Sequence, residues 1–442
     1  MSSSYEVVFR TGFCNPAGER MNLIYIHQYF VTNEGTSATR SYDVSRYLIE
    51  MGYSVTMICG LHDQSSLAPM PWWRLMRRER IDGIDLIVCN ARYSNRLGVP
   101  GRLWAWLKFA MLATWACLQQ RSADLIFATS TPLTVGIPAR IAGAVKRIPY
   151  VFEVRDLWPE DLLAAGRLKP GLQYKVWQWL ETFCYAKARK ILLVSQGFHD
   201  RLLERGFEAD RLSTIVLGAD ASLFENAQPD QAFIERHGLS GKTIAIYTGA
   251  HGDANGLTQL VDAAEHLRQR PDVAIVLIGD GKMRPQLKAM AAERQLENIH
   301  LLEAVPKQMV PGILAACHIG LMILKQISRP RWVTPNKIFD YMFSGLPSIV
   351  NFEGTTAELV EREGIGVASE PGSSEDLAAK IMLWADDPEQ RKAVGRRARE
   401  VAFAKFDRKQ IAVRLAEVFE ECVGDPRRRG AASESGVSND CR

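Results

Sequence analysis

Thr334-Pro335-Asn336-Lys337-Ile338-Phe339-Asp340-Tyr341-Met342-Phe343-Ser344-Gly345-Leu346-Pro347 decides how this chain is read. It reads as a loop that opens a helix, a glycine that ends the helix, and a proline that hands over to the strand Ser348-Ile349-Val350. A loop entering a helix presents unpaired backbone N–H groups and the positive end of the helix dipole, which together suit a phosphate. Lys337 in the first turn adds a full positive charge. Asp340, one turn further on, can accept hydrogen bonds from a ribose diol. An anion seat beside a diol acceptor describes a nucleotide-diphosphate site.

The same punctuation runs outward in both directions. On the N-terminal side, strands are expected at 22–27, 54–59, 86–89, 125–128, 150–153, 191–194 and 213–217, separated by helices such as 38–51 and 171–186. The pattern then restarts, with strands at 243–247, 273–278, 299–302, 319–324, 348–350 and 366–368 and helices between them. Apolar, β-branched strands alternating with helices predict parallel sheets covered on both faces. The fold class is therefore α/β: two Rossmann-like domains with a cleft between them, followed by C-terminal helices. The expected division is an N-terminal extension over 1–20 (with Met1 or Met21 as the start), an acceptor-side domain over 21–222 and a nucleotide-sugar domain over 223–405. A C-terminal helix at 406–423, free to pack back on the first domain, and a disordered tail at 424–442 complete it. The hinge is expected near Asp220–Asp230. Ligands of open α/β sheets bind at the carboxyl ends of strands, and the polar residues singled out below stand at such ends.

A chain of 442 residues suits two domains, since single cores rarely exceed about 250–300 residues. The net charge of +4 does not signal nucleic acid, but 71–110 holds eight Lys/Arg against three Asp/Glu. The eight cysteines are scattered, without the spacing of a zinc or redox motif, which fits a reducing, cytoplasmic setting. No signal peptide is visible, and no run reaches the ~20 apolar residues that span a bilayer. The nearest, Leu103–Leu118, is rich in tryptophan. With Trp72, Trp73, Arg74, Arg77, Arg78, Arg92, Arg96 and Arg102 it mixes cations and aromatics as an anionic lipid interface does. A buried helix with its preceding loop near the membrane is expected, giving a protein peripheral at the cytoplasmic face of the inner membrane. No Asp-x-Asp, P-loop, HExxH or Gly-x-Ser-x-Gly occurs, so no metal is signalled and no cofactor is expected.

Several strand ends carry candidate chemistry. Gly249, His251, Gly252, Asp253 and Gly256 form a glycine-rich loop after strand 243–247 that lets a ligand approach the backbone, although a plain turn looks the same. Gly279 lies in a second glycine turn. The backbone at Val305 can read a base edge, and Pro306 cannot donate. In the first domain, Arg155, Asp156, Glu160 and Asp161 cluster around Trp158-Pro159, where charges after a buried strand need partners or a cleft. Asp156 is read as facing a sugar. A plain Glu153–Arg155 ion pair is the alternative reading of that stretch. Gly35 can let substrate near the backbone, while Thr36 or Ser37 can cap the helix that follows. His27 ends the first strand and is more often structural there.

In the order of these motifs the chain resembles the family 4 (group 1) retaining glycosyltransferases of the GT-B fold, from Met21 to about Val423. The stretches Phe152–Asp161, Tyr247–Leu257 and Pro335–Pro347 are most similar to a bacterial subgroup that builds cell-surface polysaccharide such as lipopolysaccharide, capsule or exopolysaccharide. The resemblance implies a nucleotide-sugar donor, with UDP as the nucleotide, and a lipid-linked (polyprenyl-diphosphate) or saccharide acceptor. It implies donor contacts from Gly249, His251, Gly252, Asp253, Gly279, Val305, Pro335, Lys337 and Asp340. It implies acceptor contacts from Gly35, Arg155 and Glu160, and catalytic roles for Asp156 and Lys337. The family's pair of glutamates seven residues apart is altered: Trp332 stands at the first position and Asp340 at the second, the ribose contact. Its usual Arg and Lys after the glycine turn are absent, with His251 and Asn255 nearby, so Lys337 is the substitute phosphate ligand and Arg329 or Arg331 are further candidates. Asp156 stands where many relatives have a donor-contacting histidine. A GT-B nucleotide-sugar 2-epimerase and a non-catalytic GT-B partner subunit are the rival readings.

Overall fold

The computed structural model describes residues 20–424 except 95, 165, 167, 326–331 and 333. The expected extension before residue 20, the tail beyond Gly424, and Arg329 and Arg331 lie outside the described residues.

The first sheet has eight strands: β1 (Asn22–Ile26), β2 (Ser54–His62), β3 (Met76–Ile81), β4 (Ile84–Tyr93), β5 (Leu125–Thr129), β6 (Tyr150–Val154), β7 (Lys190–Leu193) and β8 (Leu212–Thr214). Their order is β3-β4-β2-β1-β5-β6-β7-β8. All neighbours are parallel except the β3–β4 hairpin. β3 is not among the strands expected from the sequence, and it begins at Met76, within the Trp72–Arg78 stretch. Asp82 and Gly83 both have positive φ, 47° and 83°, as a two-residue hairpin turn requires.

The second sheet comprises β9 (Thr243–Thr248), β10 (Val273–Ile278), β11 (Ile299–Leu302), β12 (Ile319–Met322), β13 (Ser348–Val350) and β14 (Gly366–Ala368). It is wholly parallel in the order β11-β10-β9-β12-β13-β14. β10 reads Val-Ala-Ile-Val-Leu-Ile and is buried throughout, as a strand covered on both faces must be. The strand order reverses at β1 in one sheet and at β9 in the other. Loops leaving those strands diverge to opposite faces and open a crevice.

The first-domain helices are α1 (Arg40–Glu50), α2 (Val99–Gln119), α3 (Gly136–Lys146), α4 (Glu160–Ala164), α5 (Leu172–Tyr185) and α6 (Gln196–Glu204). Phe109 of α2, Ala142 of α3 and Cys184 of α5 share one core with Ile24, Ile126 and Phe152. The opposite core joins Leu48 of α1 to Leu23, Tyr25 and Phe127, and to Ile411, Leu415 and Phe419 of the C-terminal helix Arg408–Gly424. That last helix thus returns to the first domain, and the Arg408 N–H donates to Ala219 O at 3.0 Å.

Candidate active site

The two switch points face each other across a cavity of about 250 Å³. The first domain contributes Thr36, Ser37 and Ala38 from the β1–α1 loop, with Gln64. The second contributes Gly249 and Ala250 after β9, Gly279 and Asp280 after β10, and Ala304, Val305 and Lys307 after β11. Asn336, Lys337 and Asp340 come from the start of the helix Lys337–Phe343, and Arg408 closes the wall. Thr36 and Ser37 do not cap α1: that helix begins at Arg40 after Thr39, whose hydroxyl donates to Asp43 at 2.8 Å. Freed from capping, the two residues line the cleft.

Lys337 opens its helix, as the sequence indicates, and its ammonium lies 3.5 Å from the centroid of the Tyr247 ring. A Cβ on Gly249 would stand 3.2 Å from Lys337 Nζ, and Gly249 has φ +134°. Only glycine therefore lets this ammonium lie against the turn without strain. The turns themselves interlock, since a Cβ on Gly279 would fall 1.8 Å from Gly249 O. Behind them the Thr248 N–H donates to Tyr341 Oη at 3.0 Å, tying the glycine turn to the Lys337 helix.

Asp340 is engaged by Lys307, Nζ to Oδ2 2.5 Å. The Lys307 backbone N–H donates to Gly35 O at 3.0 Å, and that of Gln308 donates to Asn33 O at 3.2 Å. Arg96 after β4 adds an ion pair to Asp280 at 3.1 Å, both side chains largely exposed. These contacts join the two rims of the cleft. A Cβ on Gly35 would meet Val31 at 2.3 Å and Gln64 O at 2.6 Å, so this glycine is required by packing beneath the loop. Lys307 is not among the site residues expected from the sequence, which at that strand end are backbone groups. A cation directly after Pro306, itself incapable of donating, was the available signal.

At the end of β6 the structure replaces the Glu153–Arg155 ion pair with another. Arg40 of α1 contacts Glu153 at 2.6 Å, and Thr129 Oγ1 donates to the other carboxylate oxygen at 2.5 Å. Burial alone would raise the Glu153 carboxyl, but Arg40, Arg155 and Thr129 hold it below its ordinary value. Arg155 is lowered by desolvation, opposed by Glu153 and Asp156. Asp156 accepts from Thr131 at 3.2 Å. Glu160 is bound by Arg201 at 2.9 Å and Arg205 at 3.4 Å, a network that also takes in Glu181. His27 is buried and shares a 2.7 Å hydrogen bond with Ser41. Arg155, Asp156 and Glu160 do not line the cavity.

Of the expected donor contacts, Gly249, Gly279, Val305, Lys337 and Asp340 line the cavity together. Pro335 stands one residue outside it. Gly252 and Asp253 border a different hollow, of about 530 Å³, where Asp253 meets Lys325 at 3.3 Å. His251 is fully buried beneath the two glycine turns, and neither ring nitrogen has a partner among the described residues. Desolvation, helped by Arg284 and Lys337 and opposed by Asp280, lowers its pKa to about 4, so the ring is neutral. Asn255 is spent on Ala250 O at 2.6 Å. Arg408 could not be read from sequence: it arrives from the C-terminal helix and pairs with Asp43, 365 residues away in the chain.

An ammonium over a glycine turn, a carboxylate one helical turn further, and a hydroxyl-bearing loop opposite can hold an anionic, diol-bearing ligand between two domains. The Glycosyl transferase 4-like domain matches residues 35–218, and the Glycosyl transferases group 1 domain matches residues 230–401. The chain belongs to the group 1 glycosyltransferases. Among relatives of this glycosyltransferase, the Escherichia coli K12 protein WcaI, named for glycosyl transfer in colanic acid biosynthesis, is 23% identical over 320 residues. That match spans 70% of this chain and 78% of the other. The alpha-D-kanosaminyltransferase of Streptomyces kanamyceticus is 22% identical over 55% of this chain and 63% of its own. The crystal structure of Anabaena HepE in complex with UDP superposes with a TM-score of 0.65 at 19% identity, over 91% of this chain and all of that one. This likeness shows the GT-B fold of the present glycosyltransferase.

Proposed function

We propose that this glycosyltransferase binds a UDP-sugar in the cavity and transfers the sugar, with retention at the anomeric carbon, to a lipid-linked saccharide in the assembly of cell-surface polysaccharide. The observation that carries the reading is the position of Lys337 and Asp340 on one face of a short helix, lining one cavity with Gly249. A pyrophosphate beside Lys337 places the ribose within reach of Asp340. The base then lies toward Val305, whose neighbouring backbone reads its edge, and the sugar points toward Thr36 and Ser37.

When the anomeric bond to the leaving diphosphate oxygen breaks, negative charge grows on the phosphate. Lys337 interacts more strongly with that charge than with the intact donor, which is where rate is gained. The acceptor hydroxyl attacks from the face the diphosphate leaves, and its proton passes to the departing phosphate oxygen. Attack on that face gives retention without a separate base. The bonds from Lys307 and Gln308 to the β1–α1 loop hold the domains together and exclude water from the donor. Arg155 and Asp156 stand on the acceptor side, at the end of β6. Glu160 orders that wall through Arg201 and Arg205.

The names of WcaI and of the HepE–UDP complex support the polysaccharide setting and the nucleotide. The test is a thermal-shift screen of nucleotide sugars, followed by NMR of the product formed with a polyprenyl-diphosphate saccharide. A donor raises the melting temperature by mass action, and the anomeric coupling of product and donor agree. Equilibration of a UDP-sugar with its 2-epimer in the absence of acceptor would instead identify an epimerase. Failure to bind any nucleotide sugar would overturn the reading.

A further inference from the structure

We propose that the outer face of α2, α3 and α5 is a docking surface for an anionic lipid bilayer, on which the first domain lies with its helices in the headgroup–acyl boundary. The proposal deepens the reading above by naming the surface that presents the cleft to a lipid-linked acceptor, and it rests on observations separate from the donor cavity.

These three helices cover one face of the first sheet, and their inner sides are spent on the core. Their outer sides are apolar as well. Of 18 large hydrophobic residues exposed among the described residues, 12 stand on these helices. On α2, Leu103, Leu107, Met111 and Trp115 recur every fourth position, so they form one stripe along the exposed side. Trp104 beside them is 60% exposed. On α5, Leu172, Val176 and Trp179 repeat the pattern, with Trp179 64% exposed, and Val145 of α3 is 66% exposed. A contiguous outward face of this kind on a folded domain marks an interaction surface. Trp106 of α2 and Trp177 of α5 pack edge to face at 6.2 Å, which ties the two helices together.

Charge selects the occupant. Over the 46 residues of the three helices the only carboxylate is Glu181, and it is buried against Arg205 at 2.5 Å. Cations remain: Lys108 and Arg102 on α2, Arg140 (over the Phe183 ring) and Lys146 on α3 and Lys175 on α5, with Arg121 and Arg147 exposed beyond the ends of α2 and α3. An apolar face without carboxylates, edged by Lys and Arg and studded with Trp, complements anionic headgroups over acyl chains. Among the described residues no helix is long and apolar enough to cross a membrane, so the contact is in the plane of the surface. All three helices follow strands that end at the cleft and run back from it, so the face begins beside the crevice. Trp106 also bonds Tyr29 at 2.6 Å, just past the end of β1. The sequence pointed to the Trp72–Arg78 region and to 103–118. The contribution of α3 and α5 needed the fold.

The test is flotation of the full chain with phosphatidylglycerol–phosphatidylethanolamine vesicles and with phosphatidylcholine vesicles, alongside light scattering without lipid and UDP binding by calorimetry. The wild type is expected to float with the anionic vesicles, less with phosphatidylcholine, and to show tryptophan quenching by brominated acyl chains. Trp104→Ser/Trp115→Ser/Trp179→Ser is expected to lower the bound fraction about tenfold, with the melting temperature and UDP affinity unchanged, because all three side chains are exposed. A protein that ignores every vesicle overturns the proposal. So does a wild-type dimer that the triple variant converts to monomer, since the face would then be covered by a second copy. Loss of UDP binding with vesicle binding intact would instead sink the donor site and leave this surface standing.

Discussion

Lys307 Nζ and Asp340 Oδ2 lie 2.5 Å apart, and the same lysine donates its backbone N–H to Gly35 across the cleft. One residue therefore connects the carboxylate assigned to ribose with the first loop of the opposite domain. Lys307 engages one oxygen of Asp340, and in the proposed function the other would accept from a ribose diol. On the proposed reading, nucleotide binding and the domain contact would be coupled through this side chain.

Replacing Lys307 by Met keeps the backbone bond to Gly35 and removes only the ammonium. The Asp340 carboxylate loses its anchor, and the cavity loses a cation near the diphosphate. UDP affinity should fall about fivefold, or about 1 kcal/mol, the scale of one partly screened charge-assisted hydrogen bond. Isothermal calorimetry reads this directly, and affinity that is unchanged or tighter would remove the coupling.

Asp340→Asn tests the ribose contact itself. The amide can accept one hydrogen bond but no longer balances Lys307, and two charge-assisted bonds weaken together. A loss of about 10–100-fold in nucleotide affinity is expected, with little change for inorganic pyrophosphate, which has no diol. Equal losses for both ligands would mean that Asp340 acts only by holding Lys307.

Lys337→Ala addresses the leaving group. The ammonium packs on Tyr247 and against Gly249, and it is worth most when charge develops on the phosphate. Turnover should fall about 100–1000-fold, while the melting temperature moves only by the loss of a cation–π contact, about 1 kcal/mol. A variant with normal kcat and a raised donor KM would assign Lys337 to ground-state binding alone.

The Arg40–Glu153 pair is buried at the end of β6 with Thr129. Glu153→Gln leaves Arg40 without its counter-charge in a buried site. A loss of about 3–5 kcal/mol in urea unfolding is expected, with the cavity residues untouched and UDP affinity retained in the folded fraction. A loss below about 1 kcal/mol would show that water reaches the pair.

The fold was legible because parallel strands buried on both faces write themselves as short apolar runs, as β10 does. Lys337 and Asp340 were legible because helix entry and exit signals flank them within fourteen residues. Other features depend on distance in the chain. Arg40 reaches Glu153 over 113 residues and Arg408 reaches Asp43 over 365, and no local pattern encodes either. Glu160 is expected from the sequence as an acceptor contact beside Trp158-Pro159, and α6 brings Arg201 and Arg205 onto it. The hairpin at 76–81 was hidden by its arginines, which an edge strand tolerates on its outer side. The Asp82-Gly83 turn was its visible signal.

His251 supplies a pH test of the turn beneath the donor site. Its ring is buried between the Gly249 and Gly279 turns, near Arg284, Asp280 and Lys337, and its pKa falls from 6.5 to about 4. In the unfolded chain the imidazole takes up a proton near 6.5, while in the folded chain it does so only near 4. The unfolded state therefore binds more protons between these values, and folding stability declines as pH drops through that window. The slope this group adds is at most about 1.4 kcal/mol per pH unit. His318, also lowered to about 4 by burial, contributes in the same window. His27, His62 and His300 are lowered by burial as well, and His251→Asn removes one of these contributions, so urea-derived stability should decline less steeply from pH 6.5 to 4 than in the wild type, with the curves parallel above pH 7. An unaltered slope would mean that the ring gains a proton or water in solution and does not stay neutral beneath the turns.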